Sequence, residues 1–164
     1  MHLILGDERA LSSIHAMNAA GASTGACHCQ ALRQAARRAS VFYDAALAPH
    51  GLRVSQFSIL ARLRRDGPRG IQALAAELAM DRTTLGRNIR PLERDGLLCT
   101  AADPADRRSR LLSTTPRGAA LVEAAWPAWS AAQAGFEARY GAAPAAELHA
   151  ALQRVVAMLQ PPEG

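Results

Sequence analysis

Residues 71–98 read IQALAAELAMDRTTLGRNIRPLERDGLL, two short amphipathic segments joined by a tight turn. Leu74 and Leu78 on the first segment, and Leu85, Ile89 and Leu92 on the second, recur at helical spacings and give each one apolar face. The second helix has a defined start. Asp81 is placed to cap it, and Met80 and Leu85 occupy the two positions of a hydrophobic staple. Asp95-Gly96 stops it before Leu97 and Leu98. The pattern predicts a helix-turn-helix. With Leu85, Ile89 and Leu92 turned inward, Thr83, Gly86, Arg87 and Arg90 point outward, and Arg82 stands at the helix start. Such a face suits a DNA major groove, where Arg bonds guanine bidentately, Thr reaches phosphate or base, and Gly admits the backbone closely. It also suits a plain solvated helix surface, so the flanking sequence has to discriminate. Pro91 removes one backbone bond and predicts a kink or an early end of the second helix.

Downstream, 97–100 and 110–114 are short and apolar-leaning, and AADPADRRS separates them. This predicts a two-stranded hairpin whose turn starts at Asp103-Pro104 and whose tip carries Arg107 and Arg108. A hairpin appended to a helix-turn-helix is a wing. Its arginines would lie where the adjacent minor groove passes, because a narrow A·T-rich groove attracts inserted Arg. The alternative is a solvated turn in which Asp106 pairs an arginine.

Upstream, Leu32, Ala36, Ala39, Tyr43 and Ala46 mark a helix over 29–48 that Pro49-His50-Gly51 ends. Ser55 is placed to cap a helix to Arg65, with Phe57, Leu60 and Leu63 inward. Beyond the wing, Thr115-Pro116 opens a long helix with Thr as cap and Pro at its first position. Along it Val122, Trp126, Trp129, Gln133, Phe136 and Tyr140 form a seam, and Pro127 predicts a bend. A last helix is expected from Pro144, with Leu148, Leu152, Val155 and Leu159 in register, ending at Pro161-Pro162. A chain this small cannot bury all these seams alone, which favours a homodimer. Residues 1–26 read as an extension with one possible short helix, and no function attaches to them.

The 164 residues make about one domain, and a 4% aromatic content with abundant alanine calls for closely packed helices. The expected fold is mainly α with a small β-hairpin. The formal net charge is +5 and every one of the 19 basic residues is arginine, an abundance that a G+C-rich genome would also impose. Placement is more telling: 51–117 holds thirteen arginines against seven acids, and the remainder is slightly acidic. Basic charge concentrated around the helix-turn-helix is the footprint of a polyanionic partner. No apolar run approaches the roughly 20 residues of a membrane span. The start MHLILGDERA lacks the character of a signal peptide, so a cytoplasmic location is expected, with Cys27, Cys29 and Cys99 as thiols. A Gly-rich phosphate loop, a nucleophile motif, paired carboxylates and a His-x-x-x-His helix are all missing from the sequence. Neither an enzyme nor a cofactor is expected.

In order, GLRVSQFSIL, the 71–98 segment and DPADRRSRLLSTTPRGAAL resemble the MarR family of winged-helix transcription regulators, over 29–159. The resemblance rests on the helix-turn-helix, the Asp-x-Arg of the wing (Asp106, Arg108) and the Thr-Pro-x-Gly helix start. It implies a homodimer with interlocked terminal helices (27–50 and 116–160), each copy presenting a winged lobe (51–115) to a pseudo-palindromic double-stranded operator. It also implies repression relieved by a small phenolic or carboxylate effector, or by cysteine oxidation. By position it places Arg82, Thr83, Thr84, Arg87 and Arg90 on the recognition helix and Arg108 in the minor groove. Arg107, Arg110 and Asn88 complete the expected DNA-facing set, although Asn88 also reads as half buried and structural. Asp106 would orient a wing arginine. Family architecture puts an effector pocket between the lobes, with Phe42, Tyr43, Phe57 and Leu60 as walls and His28, Arg33 or Arg37 as the anion contact; each aromatic also reads as ordinary core. Cys27 and Cys29 offer an alternative redox switch, assisted by Arg33. Zinc at Cys27-His28-Cys29 would lack a fourth ligand. Cys99 reads as packing. A dimeric adaptor without DNA binding is a further reading.

Overall fold

The computed structural model describes residues 27–104, 106 and 109–159. The chain divides after Arg38 into two units. The described part of the first, 27–38, opens helix α1 (His28–Leu47), and all of its side chains are exposed. The second unit holds the rest of α1, a 3₁₀ turn (Ala48–His50), α2 (Val54–Asp66), β1 (Arg69–Gly70), α3 (Ile71–Glu77) and α4 (Arg82–Arg94). Strands β2 (Leu98–Ala102) and β3 (Arg110–Thr114) follow, then α5 (Pro116–Tyr140) and α6 (Ala142–Met158).

The helix-turn-helix is α3 and α4, and the wing is the β2–β3 hairpin, with Leu98 opposite Thr114 and Ala102 opposite Arg110. A strand invisible to the sequence reading completes the sheet. Arg69 and Gly70 pair with Leu112 and Leu111, giving the antiparallel order β1-β3-β2. Two residues carry no alternation to read, so only the pairing reveals this strand.

Leu47, Phe57, Ile59, Leu60, Leu74, Leu85, Leu92, Leu112 and Val122 form the centre of one core. It draws on α2, the helix-turn-helix, the wing and α5 together, so the lobe is held by shared burial more than by intrinsic helix propensity.

Four local expectations are corrected. Helix α2 starts at Val54, and Ser55 is not its cap: the Val54 N–H donates to Asp44 Oδ1 of α1 at 2.7 Å, and the Arg53 N–H to Gln56 Oε1 at 3.0 Å. Pro91 does not end α4, which continues to Arg94, because Ile89 and Leu92 on either side of it are buried and hold the helix on the core. Helix α6 begins at Ala142, two residues before Pro144; in a first turn the missing N–H has no intrahelical partner to lose. Cys99 is exposed on β2 and is not a packing residue.

The start of α5 is built onto the end of α4. Thr115 donates its N–H to the Leu97 carbonyl (3.1 Å) and its hydroxyl to the Gly96 carbonyl (2.7 Å), and the same hydroxyl accepts from the Gly118 N–H (3.1 Å). Gly118 is buried directly against this joint, and a Cβ there would lie 2.0 Å from the Leu97 oxygen. The Thr-Pro-x-Gly pattern therefore has a steric cause.

Candidate nucleic-acid interface

Asp81 caps α4 as expected: its Oδ1 accepts from the Thr84 N–H at 2.9 Å and its Oδ2 from the Thr84 hydroxyl at 2.6 Å. These bonds, the hydroxyl's first, hold the Asp81 carboxyl below its ordinary value. Capping fixes where the helix begins. Leu85, Ile89 and Leu92 go into the core, Thr83, Arg87 and Arg90 stay exposed on the opposite side, and Arg82 and Thr84 are exposed in the first turn.

The arginines of the lobe fall into two groups. Arg62 pairs with Asp66 and Glu77, Arg65 with Asp66, Arg69 with Glu77, Arg94 with Asp95, and Arg64 with Glu123. Asp66, bonded by the Arg65 guanidinium, is drawn down to about 2. Among the described residues, Arg82, Arg87 and Arg90 enter no ion pair. Solvated cations on one helix face keep their full charge for a polyanion. Between them Gly86 leaves open space, since a Cβ there would meet nothing within 4 Å.

Asn88 is half buried, and both ends of its amide are engaged within the protein: Oδ1 accepts from the Ser55 hydroxyl at 2.7 Å, and Nδ2 donates to the Thr84 carbonyl at 2.9 Å. In the wing, Asp106 Oδ2 accepts from the Ser109 hydroxyl (2.8 Å), the Asp103 N–H donates to the Ser109 carbonyl (3.0 Å), and Arg110 is exposed at the base. Arg107 and Arg108 lie outside the described residues. The Thr100 hydroxyl donates to the Glu93 carboxylate, joining wing to recognition helix.

Of the residues expected at an effector pocket, Phe57 and Tyr43 line two different cavities. Cys27, His28, Cys29, Arg33 and Arg37 are exposed in the first unit. In the second, Leu60 is fully buried core. Phe42 meets Tyr43 edge-on and lies 4.9 Å under the Arg139 guanidinium. Tyr43 lines a cavity of about 520 Å³ with Phe136, His149 and Leu152, and its hydroxyl donates to Gln133 at 2.6 Å. Burial, with Glu137 adding to it, pushes the Tyr43 hydroxyl pKa up.

Phe57 lines a different cavity, of about 620 Å³ between α2 and α5, with Trp126 and Trp129 as further walls and Arg62, Arg64 and Arg65 around it. The Trp126 and Trp129 rings are 5.1 Å apart, and Phe57 lies 6.2 and 6.0 Å from them. The seam positions 126 and 129 were legible in the sequence only as helix packing. Their convergence with Phe57 is a tertiary fact.

A helix-turn-helix, a hairpin wing and, along the outer face of the second helix, arginines with no ion-pair partner among the described residues define a winged helix-turn-helix DNA-binding protein. The chain belongs to the MarR family, whose family model matches residues 52–109. Its relatives include the HTH-type transcriptional repressor NicR of Pseudomonas putida, 31% identical over 96 residues that span 58% of this chain and 61% of the repressor. Among solved structures, the M. tuberculosis transcriptional regulator MosR in complex with DNA is 34% identical, with a TM-score of 0.70 over 82% of this chain and 100% of that one. Bordetella bronchiseptica BpsR, whose DNA binding is regulated by 6-hydroxynicotinic acid, is 26% identical, with a TM-score of 0.72 over 82% and 96%. The protein is a DNA-binding transcriptional regulator. No helix among the described residues is long and apolar enough to cross a membrane.

Proposed function

We propose that this regulator is a homodimeric repressor that grips a pseudo-palindromic operator and lets go when a small aromatic acid binds. The observation that carries the DNA half is the contrast between the ion-paired arginines of α2 and β1 and Arg82, Arg87 and Arg90 of α4, which have no ion-pair partner among the described residues. Arg87 and Arg90 read base edges in the major groove, Arg82, Thr83 and Thr84 bind near the helix start, and Arg107, Arg108 and Arg110 serve the wing. Two such helices about 34 Å apart meet successive major grooves, which makes dimer geometry and half-site spacing a single variable.

Support for the dimer comes from the terminal helices. Trp126, Tyr140, Leu152, Val156, Met158 and Leu159 are 38–73% exposed, apolar side chains that a second copy of these helices would cover. Residues 27–50 and 116–160 form the dimerisation region in this reading, and 51–115 the DNA-binding lobe.

The cavity of Phe57, Trp126 and Trp129 has the size and apolar lining of a ligand site. Its rim holds Arg64, which ties α2 to Glu123 of α5. An aromatic carboxylate seated on the tryptophans takes the place of Glu123 at Arg64 and loosens that tie. The relation to BpsR, regulated by an aromatic acid, supports the ligand class.

Both tryptophans of the chain stand at this cavity, so their fluorescence reports on it. Adding 6-hydroxynicotinate or a hydroxybenzoate to the complex with a fluorescent duplex is expected to quench tryptophan emission and lower duplex anisotropy together. Release without a tryptophan response would put the ligand elsewhere. Tight binding unmoved by the whole acid panel would refute the ligand-release half.

A further inference from the structure

We infer that Asn88 reads no base but is the positioning residue that sets the rotation of the recognition helix, through its hydrogen bond to Ser55. This rests on the operator-binding role proposed above. Leu85, Ile89 and Leu92 hold α4 on the core by apolar burial, and burial is non-directional: it fixes how close the helix lies while tolerating rotation about its axis. A hydrogen bond is directional. The Ser55–Asn88 bond, at 2.7 Å between groups half removed from water, connects α4 to a different element. Asn88 is itself braced, because Nδ2 donates to the Thr84 carbonyl one turn back, at the end of the helix that Asp81 caps.

The anchor at the other end is also fixed. Ser55 is the second residue of α2, and its neighbour Val54 donates its N–H to Asp44 Oδ1 of α1 at 2.7 Å. The frame thus runs from α1 through the first turn of α2 to the middle of α4, next to Arg87. Rotation of α4 by about 10–20° is enough to take arginine tips out of productive geometry, so a single directional contact at this point governs fit.

A base contact by Asn would take the form of a bidentate bond to adenine, which needs both ends of the amide. Here Oδ1 and one Nδ2 hydrogen are already engaged.

The test uses the full chain, a duplex enriched from a randomised library by the wild-type protein, and a scrambled duplex of equal composition. Ser55→Ala and Asn88→Ala are each expected to weaken binding to the enriched duplex about fivefold to tenfold, the usual worth of one hydrogen bond. Affinity for the scrambled duplex stays as in wild type, and the lost discrimination is spread over the half-site, with the preferred base the same at every position. The double variant is no weaker than the weaker single one, and Ser55→Thr, which keeps the hydroxyl, binds like wild type. A changed preference at one base pair in Asn88→Ala, or wild-type binding by Ser55→Ala, overturns the inference while leaving the DNA-binding reading intact. Parallel loss on both duplexes indicates a damaged lobe and also overturns it. Failure of the wild type to enrich any duplex overturns the operator-binding reading and this inference with it.

Discussion

Gly118→Ala is expected to lower the melting temperature by on the order of 10 °C, from a loss of about 3 kcal/mol. The added Cβ would stand 2.0 Å from the Leu97 oxygen and 2.9 Å from its carbon, and both are backbone atoms that cannot swing aside. Relief requires the start of α5 to lift from the end of α4, which stretches the Thr115–Leu97 and Thr115–Gly96 hydrogen bonds in the same motion. The comparison is Gly135→Ala in the same helix. A Cβ there would rest 3.6 Å from Phe42, an ordinary contact, so the higher helix propensity of alanine leaves the protein as stable as wild type or more so. Thermal unfolding of the two variants decides the matter. A Gly118→Ala protein melting with wild type would mean that the joint between recognition helix and α5 is looser than described.

Arg87→Ala is expected to have the opposite profile, with an unchanged melting temperature and a loss of operator affinity of about tenfold to a hundredfold. Stability is unaffected because Arg87 is exposed and has no ion-pair partner among the described residues. Affinity falls because a bidentate Arg–guanine contact is worth about 1–3 kcal/mol of discrimination, so the variant also relaxes its preference at one position of each half-site. Arg65→Ala is the control: its guanidinium is already bonded to Asp66 at 2.7 and 3.0 Å, and its removal leaves operator affinity within about twofold of wild type. Anisotropy titrations on the enriched duplex measure both. Equal losses from the two substitutions would show that bulk charge, and not the face of α4, sets affinity.

These two variants mark how far the sequence alone reaches. The recognition helix was legible because Asp81, Met80, Leu85, Ile89 and Leu92 are local signals, all within about three turns, and the structure keeps each in its expected place. The wing was legible from the Asp103-Pro104 turn and its flanking strands. What escaped was tertiary. Ser55 has the composition of a helix cap, yet Asp44 from another helix supplies the acceptor at that end and leaves the Ser55 hydroxyl to Asn88. Pro91 is a helix breaker by propensity, but burial of Ile89 and Leu92 outweighs one missing hydrogen bond. Tyr43 and Phe57 share aromatic character but line separate cavities, and no spacing rule could place Trp126 and Trp129 beside Phe57.

The central claim is that two copies of the chain present paired recognition helices to one face of duplex DNA. Hydroxyl-radical footprinting of the wild-type protein on its enriched duplex tests it most directly. Two equal protected patches centred about 10 base pairs apart, or a multiple of that, with the dyad between them, are expected. A single protected patch, or even protection without periodicity, would contradict it.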